Sequence, residues 1–178
     1  LACANAAPHV TNPLGRPGMP KLLVFALAAA VWASTGSAQG FESRLSGAFS
    51  LIDDGDYDGA VQKLNELKID YPDSEFIDYG LAAALYARAA KGYEEGDREA
   101  AGVSMEAAKK GFQELQESEL PGLRRDAEFN AANSIAQIAR DKAAEYIEKF
   151  PVVRPEDYKT AELSGREAVS AYESYLAR

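Results

Sequence analysis

The sequence predicts an all-α chain of about six helices packed as antiparallel neighbours, some of them elongated. Three observations carry this. Apolar residues recur at spacings of 3 and 4 through most of residues 41–178, the period of a helix with one buried face. β-Branched residues are scattered, and no alternating run is long enough for a strand. The breakers are punctual: Gly55, Pro72, Gly96, Pro121, Pro151 and Pro155 cut the pattern into segments joined by short linkers, as antiparallel helix neighbours require.

In chain order, Leu45, Phe49 and Ile52 form the stripe of a first helix over about 41–53, and Gly55-Asp56 ends it. Tyr57, Ala60 or Val61, Leu64 and Leu67 mark a second helix, stopped by Pro72 because the residue before proline avoids helical geometry. Asp73 and Ser74 are the capping candidates for a long third helix, about 75–94. A fourth, about 97–117, carries Ala101, Met105, Ala108, Phe112 and Leu115. Ser118 and Pro121 open a fifth, which runs to about 149 with Ala127, Ala131, Ile135 and Ile138 inward. The sixth starts near Pro155, with Glu156 and Asp157 at the positive end of its dipole and Tyr158, Ala161, Gly165, Ala168, Tyr172 and Tyr175 on one side.

The first 38 residues read differently. Met19-Pro20-Lys21, the twelve apolar residues Leu22 to Ala33, and the small residues Ser34 to Ala38 make the three parts of a signal peptide over 19–38. Twelve helical residues reach about 18 Å, short of the roughly 30 Å of a hydrocarbon core. Residues 1–18 lack an initiating Met and read as upstream sequence translated in frame. No apolar region precedes Cys3, so it is not read as a lipid anchor. The expectation is a periplasmic or secreted protein cleaved near Ala38, with one helical domain over 39–178 that continues past Arg178.

That mature part holds neither Cys nor His, since Cys3 and His9 lie upstream, and has 17 basic against 28 acidic residues, a net charge of −11. Such a surface is wrong for nucleic acid. Without His or Cys the common nucleophile–base pairs of enzymes are missing, and there is no phosphate-binding glycine loop. Asp53, Asp54, Asp56 and Asp58 cluster at the first turn but lack the EF-hand spacing and its closing Glu. No catalysis, cofactor or metal is expected.

The turn at Gly55-Asp56 is echoed. It is followed by Ala60, Leu64 and Leu67, and Gly96-Asp97 is followed by Ala101, Met105 and Ala108, at offsets of 5, 9 and 12 from each glycine. Aromatics follow at offset 16, Tyr71 and Phe112. Ala168, Tyr172 and Tyr175 keep the internal spacing a third time. With Gly at the interhelix turn, then Ala60, Leu64, Leu67 and Pro72, residues 41–74 resemble one unit of the tetratricopeptide repeat (TPR), a helix–turn–helix of 34 residues. Arg44 and Gly47 depart from the family pattern in the first half of that unit. The echo is 41 residues, so the third helix is about two turns longer than the repeat demands.

The resemblance implies a right-handed solenoid of three helical pairs, a concave groove, and a scaffold that binds another protein or peptide. A narrower likeness points to the cell envelope. "FNAAN", Phe129 to Asn133, and "AVSAYESYLAR", Ala168 to Arg178, resemble bacterial TPR proteins of the aerotolerance (Bat) operons. Residues 55–76 resemble equally the envelope TPR proteins of outer-membrane assembly and cell-division coordination.

Tyr79, Tyr86 and Tyr93 recur every 7 residues on the third helix. They form either a packing stripe or an aromatic groove. Asn130 and Asn133 share a face of the fifth helix, and the resemblance implies a role in holding a ligand backbone; the lysines of a carboxylate clamp are not evident. These five are the candidate partner-binding residues. The alternative function is a small-ligand-binding or enzyme-accessory helical subunit. The sequence leaves the oligomeric state open.

Overall fold

The computed structural model describes residues 36–148 and 154–177. Residues 1–18, the apolar segment 22–33 and the break at Pro151 lie outside them. Among the described residues there are six α-helices, one 3-10 turn and no strand. The helices are α1 (Gly36–Asp53), α2 (Tyr57–Asp70), α3 (Glu75–Glu95), α4 (Arg98–Glu114), α5 (Pro121–Glu148) and α6 (Pro155–Leu176), with the 3-10 turn Leu115–Glu117 after α4. None is long and apolar enough to cross a membrane.

The two Gly-Asp turns have one construction. Gly55 (φ 82°) and Gly96 (φ 86°) take the left-handed conformation that L-residues avoid. Each closes the helix before it with a doubled backbone bond: Asp56 N–H to Leu51 O at 2.8 Å with Gly55 N–H to Ile52 O at 3.1 Å, and Asp97 N–H to Gly92 O at 2.9 Å with Gly96 N–H to Tyr93 O at 3.3 Å. The next residue starts the following helix. Asp56 accepts from Gly59 N–H at 3.0 Å, and Asp97 from Ala100 N–H at 3.3 Å. One dipeptide thus ends one helix and caps the next.

Other ends depart from the sequence reading. Ser74 holds the N-cap position of α3, but its side chain makes no capping bond. The start of α3 is favoured instead by Glu75 and Asp78 in its first turn. The last turn of the fourth segment tightens to 3-10 geometry and ends at Ser118. The buried Ser118 hydroxyl donates to Glu75 Oε2 at 2.7 Å and accepts from Leu120 N–H at 3.1 Å, tying the α4–α5 connection to the start of α3.

Cross-helix contacts give the directions. The Arg44–Asp70 ion pair (2.7 Å) and the Phe41–Tyr71 ring contact run α1 antiparallel to α2. Lys68 with Asp78 and Asp58 with Arg88 do the same for α2 and α3. A methyl group added at Gly111 would lie 3.0 Å from Ala82 Cβ, and one at Gly92 3.0 Å from Ala101 Cβ, so α3 and α4 are antiparallel and very close. Phe129–Tyr175 and Tyr146–Tyr158 place α6 antiparallel to α5.

Each helix packs on its chain neighbours. In addition α1 touches α3 and α3 touches α5, whereas α2, α4 and α6 do not touch one another among the described residues. The core follows most of the stripes read from the sequence: Leu45, Phe49 and Ile52; Ala60, Leu64 and Leu67; Ala101, Met105, Ala108 and Phe112; Ala127, Ala131 and Ile135 are all buried, whereas Ile138 is half-buried and the sixth stripe buries Ala168 alone, with Tyr158 56% exposed. Ala60 has no exposure at all, and a Cβ at Gly80 would meet Leu64 and Phe49 at 3.0 and 3.2 Å, so α1, α2 and α3 converge there.

Candidate functional site

α3 is apolar on more than one side because it lies between partners, with α1 and α2 on one flank and α4 and α5 on the other. Its tyrosine stripe turns toward α4 and α5. Tyr79 is 9% exposed and sets its ring edge-on to Phe112 at 5.6 Å. Its hydroxyl accepts from Asn130 Nδ2 at 3.0 Å. Asn130 is itself buried, and its backbone carbonyl accepts from the Ser134 hydroxyl at 2.8 Å. Tyr79 and Asn130 therefore serve each other inside the α3–α5 contact rather than facing a groove.

Asn133, one turn on, is half-buried and faces α6. Its Oδ1 accepts from the Tyr172 hydroxyl at 2.6 Å, while its Nδ2 has no partner among the described residues. The two asparagines thus diverge, one joining α5 to α3 and the other joining it to α6. Tyr86 is half-buried near Tyr172 and Arg140. The sequence reading did not name Tyr172 or Arg140 as site residues, although Tyr172 stood in the third echo of the repeat. Arg140 is exposed and donates to Gln137 Oε1 at 3.5 Å.

Burial sets the electrostatics of the stripe. Desolvation, then the charge of Asp126, push the Tyr79 hydroxyl up to about 12, against the opposing bond from Asn130. Desolvation with Asp141 and Glu106 raises Tyr93 to about 12. Tyr86 is raised by burial and Tyr172, and Arg140 opposes the rise. All three phenols are neutral near pH 7 and serve as hydrogen-bonding groups.

A separate open cleft of about 850 Å³ lies where α2 and α4 stand apart above α3. Its walls are the starts of α2 and α4, built by the two echoed Gly-Asp turns, and its floor carries Arg88 and Lys91. Both cations are engaged. Arg88 pairs with Asp58 at 2.9 Å and donates to Ser104 Oγ at 3.2 Å. Lys91 stands 6.0 Å from the Tyr57 ring centroid and 3.8 Å from Glu95. No group of acidic, His or Cys side chains among the described residues is placed to hold a metal ion.

Comparison of the chain with protein-family models, curated proteins and solved structures gives no match.

Proposed function

We propose that the chain is an exported, non-enzymatic scaffold: a TPR-like right-handed solenoid that binds a segment of another cell-envelope protein on the face formed by α1, α3 and α5. The observation that supports this is the contact pattern. The odd-numbered helices touch one another and the even-numbered ones do not, so the stack curves with its odd helices on the inside, and such a curve makes a binding surface. On that side α3 offers Phe76, Ala83, Ala87 and Ala90, at spacings of 7, 4 and 3 and none of them buried. A floor of alanines admits a peptide backbone. Asn133 Nδ2, without a partner among the described residues, supplies a donor for a peptide carbonyl, with Tyr86 near the Tyr172 that it adjoins as an apolar wall.

Export also agrees with the fold. Cleavage after Ala38 would shorten α1 but keep Leu45, Ala48, Phe49 and Ile52, its buried residues. The test is a photo-cross-linking residue placed at Ala87 and, as a control, at Ile69, which is 82% exposed on α2. The expected result is a discrete envelope-protein adduct from position 87 and none from 69, lost on Asn133→Ala. Equal labelling at both positions would sink the reading.

The α2–α4 cleft favours a second reading, a small-ligand-binding or enzyme-accessory subunit, because it is large enough for a metabolite and lined by both charges. A thermal shift with a small molecule that is abolished by Arg88→Gln, with no adduct at Ala87, would put that reading first.

A further inference from the structure

The seam between α3 and α5 carries a charge toward each end and a donor between them. Asp126, Asn133 and Arg140 recur every 7 residues on α5, two turns apart each time and therefore on one side of the helix. Arg98 at the start of α4 pairs with Glu148 at the end of α5 at 2.6 Å. α4 is thus antiparallel to both α3 and α5, and those two run parallel. The Tyr79–Asn130 bond sets the level of one against the other. Asp126 stands one turn before that level, and its charge acts on the Tyr79 hydroxyl. Arg140 stands one turn beyond the level of Tyr86, and its charge acts on that phenol. Both helices have neighbours on each flank, α2 and α4 for α3, α4 and α6 for α5, so the seam lies inside the stack.

Neither charge is satisfied by the chain. Asp126 is half-buried and has no hydrogen-bond or ion-pair partner among the described residues. Burial raises its carboxyl above the usual range, against the opposing charge of Arg125. Arg140 has no ion-pair partner among the described residues, and its bond to Gln137, at 3.5 Å, is too long to hold it. Asn133 commits Oδ1 to Tyr172 and leaves Nδ2 without a partner among the described residues.

We infer that this seam selects an extended peptide by two opposite charges, a basic residue set against Asp126 and an acidic one against Arg140, with a backbone carbonyl between them on Asn133 Nδ2. The separation sets the register. The 14 residues from Asp126 to Arg140 span about 21 Å of helix, and an extended chain rises about 3.4 Å per residue. The two charges of the partner therefore lie about six positions apart. A peptide of one sign would gain at one end of the seam and be repelled at the other, so the pair discriminates as well as attracts. The inference rests on the reading of the α1, α3 and α5 face as a peptide groove, and adds what that peptide must carry.

A display library of random peptides long enough to span the seam, selected on the full chain and on its variants, tests it. The wild-type chain should enrich sequences with Lys or Arg about six positions from Asp or Glu, and Ala87→Arg, which fills the floor of the groove, should abolish their capture. Arg140 is exposed, so Arg140→Glu should keep the wild-type thermal midpoint while weakening a selected peptide by about tenfold. Changing that peptide's acidic residue to Lys should restore its affinity for the Arg140→Glu chain. Asp126→Asn should remove the preference for the basic residue and leave the acidic one. Peptides lost on Ala87→Arg but selected without either charge, or bound equally by Arg140→Glu, would overturn the inference and leave the groove reading standing. Peptides that survive Ala87→Arg, or no enrichment at all, would end both.

Discussion

Changing the Tyr79–Asn130 contact separates an interior polar tie from a ligand-facing pair. Tyr79→Phe removes the acceptor and leaves the Asn130 amide, 7% exposed, without its 3.0 Å bond. A buried donor left unpaired costs about 1–3 kcal/mol. Asn130→Leu fills similar space but strands the Tyr79 hydroxyl, which at 9% exposure reaches water poorly, for a loss of about 1–2 kcal/mol. The double variant replaces both partners with apolar groups in a pocket already lined by Phe112, and such replacement can be nearly neutral. The three variants should therefore be strongly non-additive, with a coupling of about 1–3 kcal/mol. Urea unfolding followed by helical circular dichroism reads all three. Losses that add to within about 0.5 kcal/mol would mean that the pair does not act as a unit, and the reasoning that places it inside the α3–α5 contact would fail.

Ala60→Leu, at a site with no exposure, should cost roughly 1–3 kcal/mol by overpacking, while Ala87→Leu on the half-exposed side of α3 should cost clearly less; thermal midpoints of the two decide it. Gly55→Ala places a Cβ at φ 82° and should lose on the order of 1 kcal/mol in the same assay, even though open space surrounds it. Raising pH should destabilise the fold: Tyr79 ionises near 12 in the folded chain against about 10 unfolded, so its contribution is intact below pH 10 and is lost as pH climbs to 12, about 2–3 kcal/mol by linkage. Phenolate absorbance and unfolding midpoints across that range check it, and a midpoint unchanged up to pH 12 would contradict the burial of Tyr79. If export is correct, mass spectrometry of the protein made with its leader should give an N-terminus at Gln39; retention of Met19 would count against it.

Most helix boundaries were legible because they are punctuated locally; the start of α1, at Gly36 rather than about 41, has no such breaker. Gly55 and Gly96 need the left-handed region, Pro72 forbids helix before it, and Pro121 and Pro155 suit a first turn. The inward faces were legible for the same reason: a 3-and-4 spacing names the buried side of its own helix. What covers that side is a long-range fact. Periodicity put Tyr79 on a stripe with Tyr86 and Tyr93, but only the α3–α5 contact pairs it with Asn130. Likewise Asn130 and Asn133 share a helical face, yet one sits beneath α3 and the other beneath α6. The cleft between α2 and α4 has no signature in either helix, because it depends on the spacing between helices that do not touch. The Ser74 cap was misread because residue type at an N-cap is a preference, whereas the side-chain bond depends on local geometry.

Each helix is held by near neighbours; α3 meets the most of them and α6 the fewest, packing on α5 among the described residues. Native-state hydrogen exchange on the full chain tests this most directly. The account predicts that amides of α3 from Gly80 to Ala89 exchange last, through global unfolding, while α6 from Leu163 to Tyr175 opens separately and much earlier. Equal protection of α3 and α6, with one opening free energy for all six helices, would contradict it.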